Sequence, residues 1–154
     1  MNKLFTLLVI LTSLFSTTLS ASEILVDDAW IREAPPVSKV QAAYMALLNS
    51  TKKDISLVSV SSPLYSHIEF HRTEMTNGVM RMQQQDTLHI PANSQLYLQP
   101  DGIHMMLFNP AQPLKAGDKV PFIFSFSDKK IIEVIIKVEK AKASTHKPHR
   151  CGGH

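Results

Sequence analysis

Alternation dominates the hydrophobic pattern of this chain. Val120, Phe122, Phe124 and Phe126 alternate with Pro121, Ile123 and Ser125, and Ile132, Val134, Ile136 and Val138 alternate with Glu133, Ile135 and Lys137. A period near two sends successive side chains to opposite faces of an extended strand, so each run offers one face to a core. Ser127-Asp128-Lys129-Lys130 reads as the hairpin connection between the two runs. Further short runs rich in Thr, Val, Ile, Phe and Tyr, broken by Pro, Gly, Asn and Asp, predict strands over 24–31, 42–49, 55–61, 66–74, 79–84, 95–98 and 104–108, ahead of the pair at 120–127 and 130–138. Many short strands at regular spacing predict an all-β domain, a sandwich or a barrel. No strong amphipathic helix and no internal repeat is visible; residues 38–42 have room for one helical turn at most.

The two ends break the pattern. Lys3 followed by the apolar run 4–15 and the small-residue stretch Ser16-Thr17-Thr18-Leu19-Ser20-Ala21 has the form of a secretory signal peptide. The apolar run is shorter than the roughly 20 residues a membrane span needs, and no Cys lies near the cleavage region to carry a lipid. The organisation expected is a signal peptide over 1–21, one domain over 22–141 and a tail over 142–154. From about Lys140 the apolar period is lost, and the tail is expected to be disordered.

Composition narrows the function classes. At 44% hydrophobic and 19% charged residues, the 154-residue chain suits one folded domain with a core. Without Lys3 the formal net charge falls from +3 to +2, too mild to argue for nucleic acid or a membrane surface as partner. The single cysteine, Cys151, excludes an intramolecular disulfide, so an exported domain of this sequence is stabilised by packing.

The candidate chemistry lies in four residues. His71, Met82, His104 and Met106 follow the spacing His-x10-Met-x21-His-x-Met. Thioether sulfur and imidazole nitrogen together select a soft metal such as Cu(I). Calcium and magnesium want oxygen, and zinc sites use Cys, His and carboxylates. Asn77-Gly78 links the spacing to geometry, because Asn-Gly between two strand-like runs is the strongest short hairpin signal. With those residues at the turn, Thr76 faces Val79 and the pairs run Met75–Met80, Thr73–Met82 and His71–Gln84. His71, Thr73, Met75, Met80 and Met82 then share one face, with His71 and Met82 as diagonal neighbours about 7–8 Å apart. His104 and Met106, at i and i+2 on a later strand, share a face of their own, while Met105 turns to the core. Two pairs on two ribbons converge on one four-coordinate site. The competing reading is that Met fills cores and a strand His is a surface residue. Against it stands density: Met75, Met80, Met82, Met105 and Met106 are five of seven Met. Whether Met75 or Met80 can replace Met82 stays open.

The four residues at full spacing resemble the hallmark H(M)-x10-M-x21-H-x-M of the PCu(A)C periplasmic copper chaperones. The stretches Asp28-Ala-Trp-Ile-Arg-Glu-Ala-Pro-Pro36, Ala42-Ala-Tyr-Met45, Asn77-Gly-Val-Met-Arg-Met82 and Pro113-Leu-Lys-Ala-Gly-Asp118 extend the resemblance over about residues 22–140. It implies a cupredoxin-like Greek-key β-sandwich that is not an enzyme. Its cargo would be Cu(I) at His71, Met82, His104 and Met106. The implied recipient is the dinuclear Cu(A) centre of cytochrome c oxidase subunit II, reached directly or with a Sco-like thioredoxin-fold partner. The implied compartment is the periplasm, and a monomer is expected. The His-containing tail departs from the simplest members.

Other readings are weaker. A storage or resistance protein would use the same site without a dedicated recipient. Electron-transfer cupredoxins need His₂Cys with an axial Met, and Cys151 lies beyond the last strand. A hydrolase would need a nucleophile beside His67, His71 or His104, and Asp27, Asp28 and Glu69 read as solvated or capping carboxylates. His67 and His89 read as structural or exposed, and Trp30 as a core anchor. In the tail, His146, His149, Cys151 and His154 form a possible secondary metal site, with Cu(II) as its expected ligand, against the plain alternative of a soluble end.

Overall fold

The computed structural model describes residues 24–141, which form ten β-strands and no helix. They are β1 (Ile24–Arg32), β2 (Val40–Asn49), β3 (Ile55–Ser61), β4 (Tyr65–Thr76), β5 (Val79–Gln85), β6 (Leu88–Ile90), β7 (Ser94–Leu98), β8 (Ile103–Pro110), β9 (Lys119–Phe126) and β10 (Ile131–Glu139). Nine of them overlap the strands that alternation predicts. The tenth, β6, is three residues long, too short to show a period; it is held by pairing with β3 through Ile55–Ile90 and Leu57–Leu88. Residues 38–42 form no helical turn: the Ser38 hydroxyl donates to Val40 O at 2.7 Å, and Val40 already opens β2.

All ten strands belong to one hydrogen-bonded ladder, ordered β5-β4-β8-β7-β2-β1-β10-β9-β3-β6, with a further β8–β2 pairing. The join between its two halves is the parallel pair β1–β10, so the expected sandwich is realised by a continuous sheet folded over on itself. Tyr65 of β4 lies 6.1 Å from Phe122 of β9, ring centre to ring centre, and Asn49 of β2 donates from its buried amide to Ile90 O of β6 at 3.1 Å. These contacts cross from one half to the other.

The core follows from alternation. Val120, Phe122, Phe124 and Phe126 are all buried and pack with Ile136, Val138, Leu47, Leu57, Met105 and Leu107. Each large apolar side chain so buried contributes about 1.5–3 kcal/mol. Ile131 and Ile135, in the opposite phase of β10, are exposed. Trp30 is buried and tilts against Tyr44 with ring centres 4.8 Å apart.

Candidate metal-binding site

Asn77 and Gly78 adopt φ values of 52° and 76°, the two positive angles that a type I′ hairpin turn requires. The register they fix pairs Thr76 with Val79, Met75 with Met80, Thr73 with Met82 and His71 with Gln84. His71 and Met82 are therefore diagonal neighbours on one face, as the turn chemistry predicts.

The later strand stands closer than two separate ribbons would bring it. β8 is hydrogen-bonded directly to β4, with His104 opposite His71, Met105 opposite Phe70 and Met106 opposite Glu69. All four residues project from one face of a single β5-β4-β8 sheet. The imidazole rings of His71 and His104 lie 6.2 Å apart. On the far side of β8, Met106 neighbours Ala42 of β2, whose small side chain leaves the thioether half-buried rather than covered. Met105 points the other way and is fully buried.

Both histidines have one nitrogen committed and one free. His104 Nδ1 lies 3.0 Å from Gly102 O. A carbonyl can only accept, so Nδ1 carries the proton and Nε2 keeps its lone pair. His71 Nε2 lies 2.8 Å from Glu69 Oε2, and by the same logic it donates to the carboxylate. The remaining His71 nitrogen, Nδ1, is buried with no hydrogen-bond partner. A buried lone pair without a donor is costly, and a metal ion aimed at by that nitrogen removes the cost. Imidazole ligands commonly have their second nitrogen fixed by a carboxylate or carbonyl in this way.

Glu69 was expected to be a solvated or capping carboxylate. Instead it orients His71 and also stands 3.8 Å from His67 Nε2. The signal for it was present: His67, Glu69 and His71 sit at i, i+2 and i+4, and a strand puts such residues on one face. His67 is exposed and stacks on Phe108 at 4.4 Å and 5°, and exposed His89 lies 3.5 Å from Asp54 Oδ2; neither joins the four. Asp27 accepts the Asp28 N–H, a local cap. Met75, Met80 and Met82 are 66%, 65% and 55% exposed. Among the described residues, no three His, Cys, Asp or Glu side chains gather in metal-holding geometry. The signal-peptide stretch 1–21 and the tail residues His146, His149, Cys151 and His154 lie outside the described residues.

Known proteins resemble the chain over the whole of this fold. A family model described as "Putative lipoprotein LpqE-like" matches residues 24–138. A protein of Leifsonia xyli subsp. xyli, named "Putative lipoprotein Lxx21020", is 32% identical over 120 residues, which cover 77% of this chain and 71% of that protein. The solution structure of CuI-DR1885 from Deinococcus radiodurans is 32% identical, with a TM-score of 0.66 over 80% of this chain and 83% of that one. The copper-bound PCuAC domain from PmoF2 superimposes with a TM-score of 0.67 over 79% of this chain and 97% of that domain, at 19% identity, a likeness of fold.

Proposed function

This chain belongs to the LpqE-like family of PCuAC-type, cupredoxin-like domains, and on that footing we propose that it is a copper carrier of the cell envelope. It holds Cu(I) with His71, Met82, His104 and Met106 and hands the ion to a recipient. The observation that carries the reading is the buried, unpartnered Nδ1 of His71, facing the same side of the sheet as His104 and two thioethers. The Cu(I) form of the 32%-identical Deinococcus protein supports the choice of ion.

The donor set suits transport. Imidazole and thioether are neutral, so binding the ion displaces no proton from a ligand whose tautomer is already fixed. Thioethers are soft enough for Cu(I) and cannot form disulfides, which matters in an oxidising compartment. Glu69 supplies a carboxylate behind His71 that accepts its Nε2–H and holds the ring in place. The half-open setting of Met82 and Met106 leaves a recipient room to approach and replace the thioethers one at a time. Export is supported by the pattern at residues 1–21 and by the lipoprotein description of the family; the periplasm is the compartment we assign.

The recipient we assign is the Cu(A) centre of cytochrome c oxidase subunit II, alone or through a Sco-like partner. The test mixes Cu(I)-loaded protein with the apo Cu(A) domain, with and without a Sco-like protein. Appearance of the Cu(A) absorption bands supports delivery. Tight Cu(I) binding with no transfer in either mixture rejects it in favour of storage, and a strong thiolate-to-Cu(II) band in the protein itself rejects carriage in favour of electron transfer. For the tail we propose Cu(II) capture by His146, His149, Cys151 and His154. Deleting residues 142–154 then removes one binding event from a Cu(II) titration, and an unchanged stoichiometry rejects that role.

A further inference from the structure

The β4–β5 hairpin extends past the strand that supports it. β8 begins at Ile103, opposite Arg72, so Thr73 to Thr76 of β4 and their partners on β5 continue as a two-stranded arm. Thr73 N–H turns toward β8 and donates to Gly102 O at 3.1 Å. Thr73 and Met82 are thus a non-hydrogen-bonded pair across the hairpin. Two residues further on, the alternation of the ladder makes Met75 and Met80 another. Pairs of that kind bring their Cα atoms to about 4.5 Å, the closest approach a sheet allows. Met82 follows Met80 on the same face at about 7 Å.

Three long thioether side chains are therefore clustered at the tip, each more than half exposed. They fill no core. A two-stranded arm in water is marginal, and polar or β-branched residues would serve the arm at least as well. The charged residues of the arm, Glu74 and Arg81, and Arg72 at its base alternate with the methionines and so occupy the opposite face, where Arg72 and Glu74 pair at 3.8 Å. The methionine face carries no fixed positive charge to repel a cation.

We propose that Met75, Met80 and Met82 form a second, all-thioether position for Cu(I) at the hairpin tip, through which the ion enters and leaves the His71–His104 site. The inference rests on the copper-carrier reading and deepens it. Met82 belongs to both positions: it lies beside Met80 along β5 and diagonal to His71 across the hairpin. The ion moves by ligand exchange, with Met82 retained while Met75 and Met80 give way to His71, His104 and Met106. Copper stays monovalent throughout, no electron is transferred, and no proton is released, because thioethers carry none. Hard ions such as Ca²⁺ and Mg²⁺, which take six or more oxygen ligands, find no carboxylate on this face of the arm, where Thr73 offers the one side-chain oxygen beside the three thioethers.

The test uses the full chain with Cys151→Ser, labelled with ¹³C at the Met methyl groups and titrated anaerobically with Cu(I). The Met82 and Met106 methyl signals shift first, and those of Met75 and Met80 shift with further equivalents. In the His71→Ala/His104→Ala protein, Met75, Met80 and Met82 still shift while Met106 does not. Stationary Met75 and Met80 signals in both proteins overturn the second position while leaving the main one standing. Stationary Met82 and Met106 signals in the parent protein overturn the copper-carrier reading itself. Met75→Leu/Met80→Leu, which preserves volume, slows Cu(I) loading from a soluble chelate with unchanged final affinity; an unchanged loading rate overturns the entry role.

Discussion

The two faces of β8 treat the same side chain in opposite ways. Met105 is fully buried among Phe70, Leu107 and the aromatics of β9, whereas its neighbour Met106 looks outward beside His104 and Glu69. On the inner face a thioether is a flexible hydrophobe that fills volume, and any residue of similar size would serve. On the outer face it is only half-buried, packing demands less of it, and what distinguishes it from Leu is its sulfur lone pairs. Residue type alone carries no function here; the direction of the side chain does.

Substitutions on the two faces sharpen the contrast. Met105→Ala leaves a cavity and should cost about 2–5 kcal/mol of stability, read from the urea midpoint, with Cu(I) affinity of the folded protein unchanged. A loss of affinity without a loss of stability would break the division between faces. His104→Ala should do the reverse and weaken Cu(I) binding by more than about 100-fold, since removing groups that merely orient a ligand costs 10–100-fold. Retained affinity in a competition titration would remove His104 from the site. Glu69→Gln keeps the shape but exchanges the carboxylate behind His71 for an amide, and should cost about 10-fold, near the lower end for such orienting groups. Mild peroxide should convert Met75, Met80 and Met82 to sulfoxides before Met105, as followed by mass spectrometry, and Cu(I) binding should fall as Met82 reacts.

The smallest effect belongs to the boundary between the halves. Tyr65 is buried, donates its hydroxyl to Gln41 Oε1 at 2.7 Å, and burial pushes its pKa up from the usual phenol value. A group whose folded-state pKa is raised gives stability that is present below its unfolded pKa and lost above it. Stability should therefore fall as pH rises past about 10. Tyr65→Phe should flatten that decline in thermal unfolding at alkaline pH; an unaltered slope would show that the tyrosine is not its source.

Much of this architecture is legible in the sequence. The β9 and β10 runs bury the phase that their alternation selects, and the β4–β5 register follows from Asn77-Gly78, because few dipeptides take two positive φ angles at so little cost. Local chemistry settles such features within a few residues. β6 escaped because three residues cannot display a period, and the helical turn for which 38–42 has room does not form because the Ser38 hydroxyl captures the backbone locally and Val40 already opens β2.

The sequence by itself determined the all-β class and the hairpin register and nominated four candidate donor residues, since each follows from alternation, turn chemistry or ligand softness. Only the tertiary structure decided that β8 lies against β4. That pairing joins residues more than thirty positions apart, and hydrogen bonds between strands carry no sequence code for partner choice. From it come His104 opposite His71, Glu69 behind the imidazole, the bare Nδ1 of His71, and the point where β8 stops and leaves three methionines on an open arm.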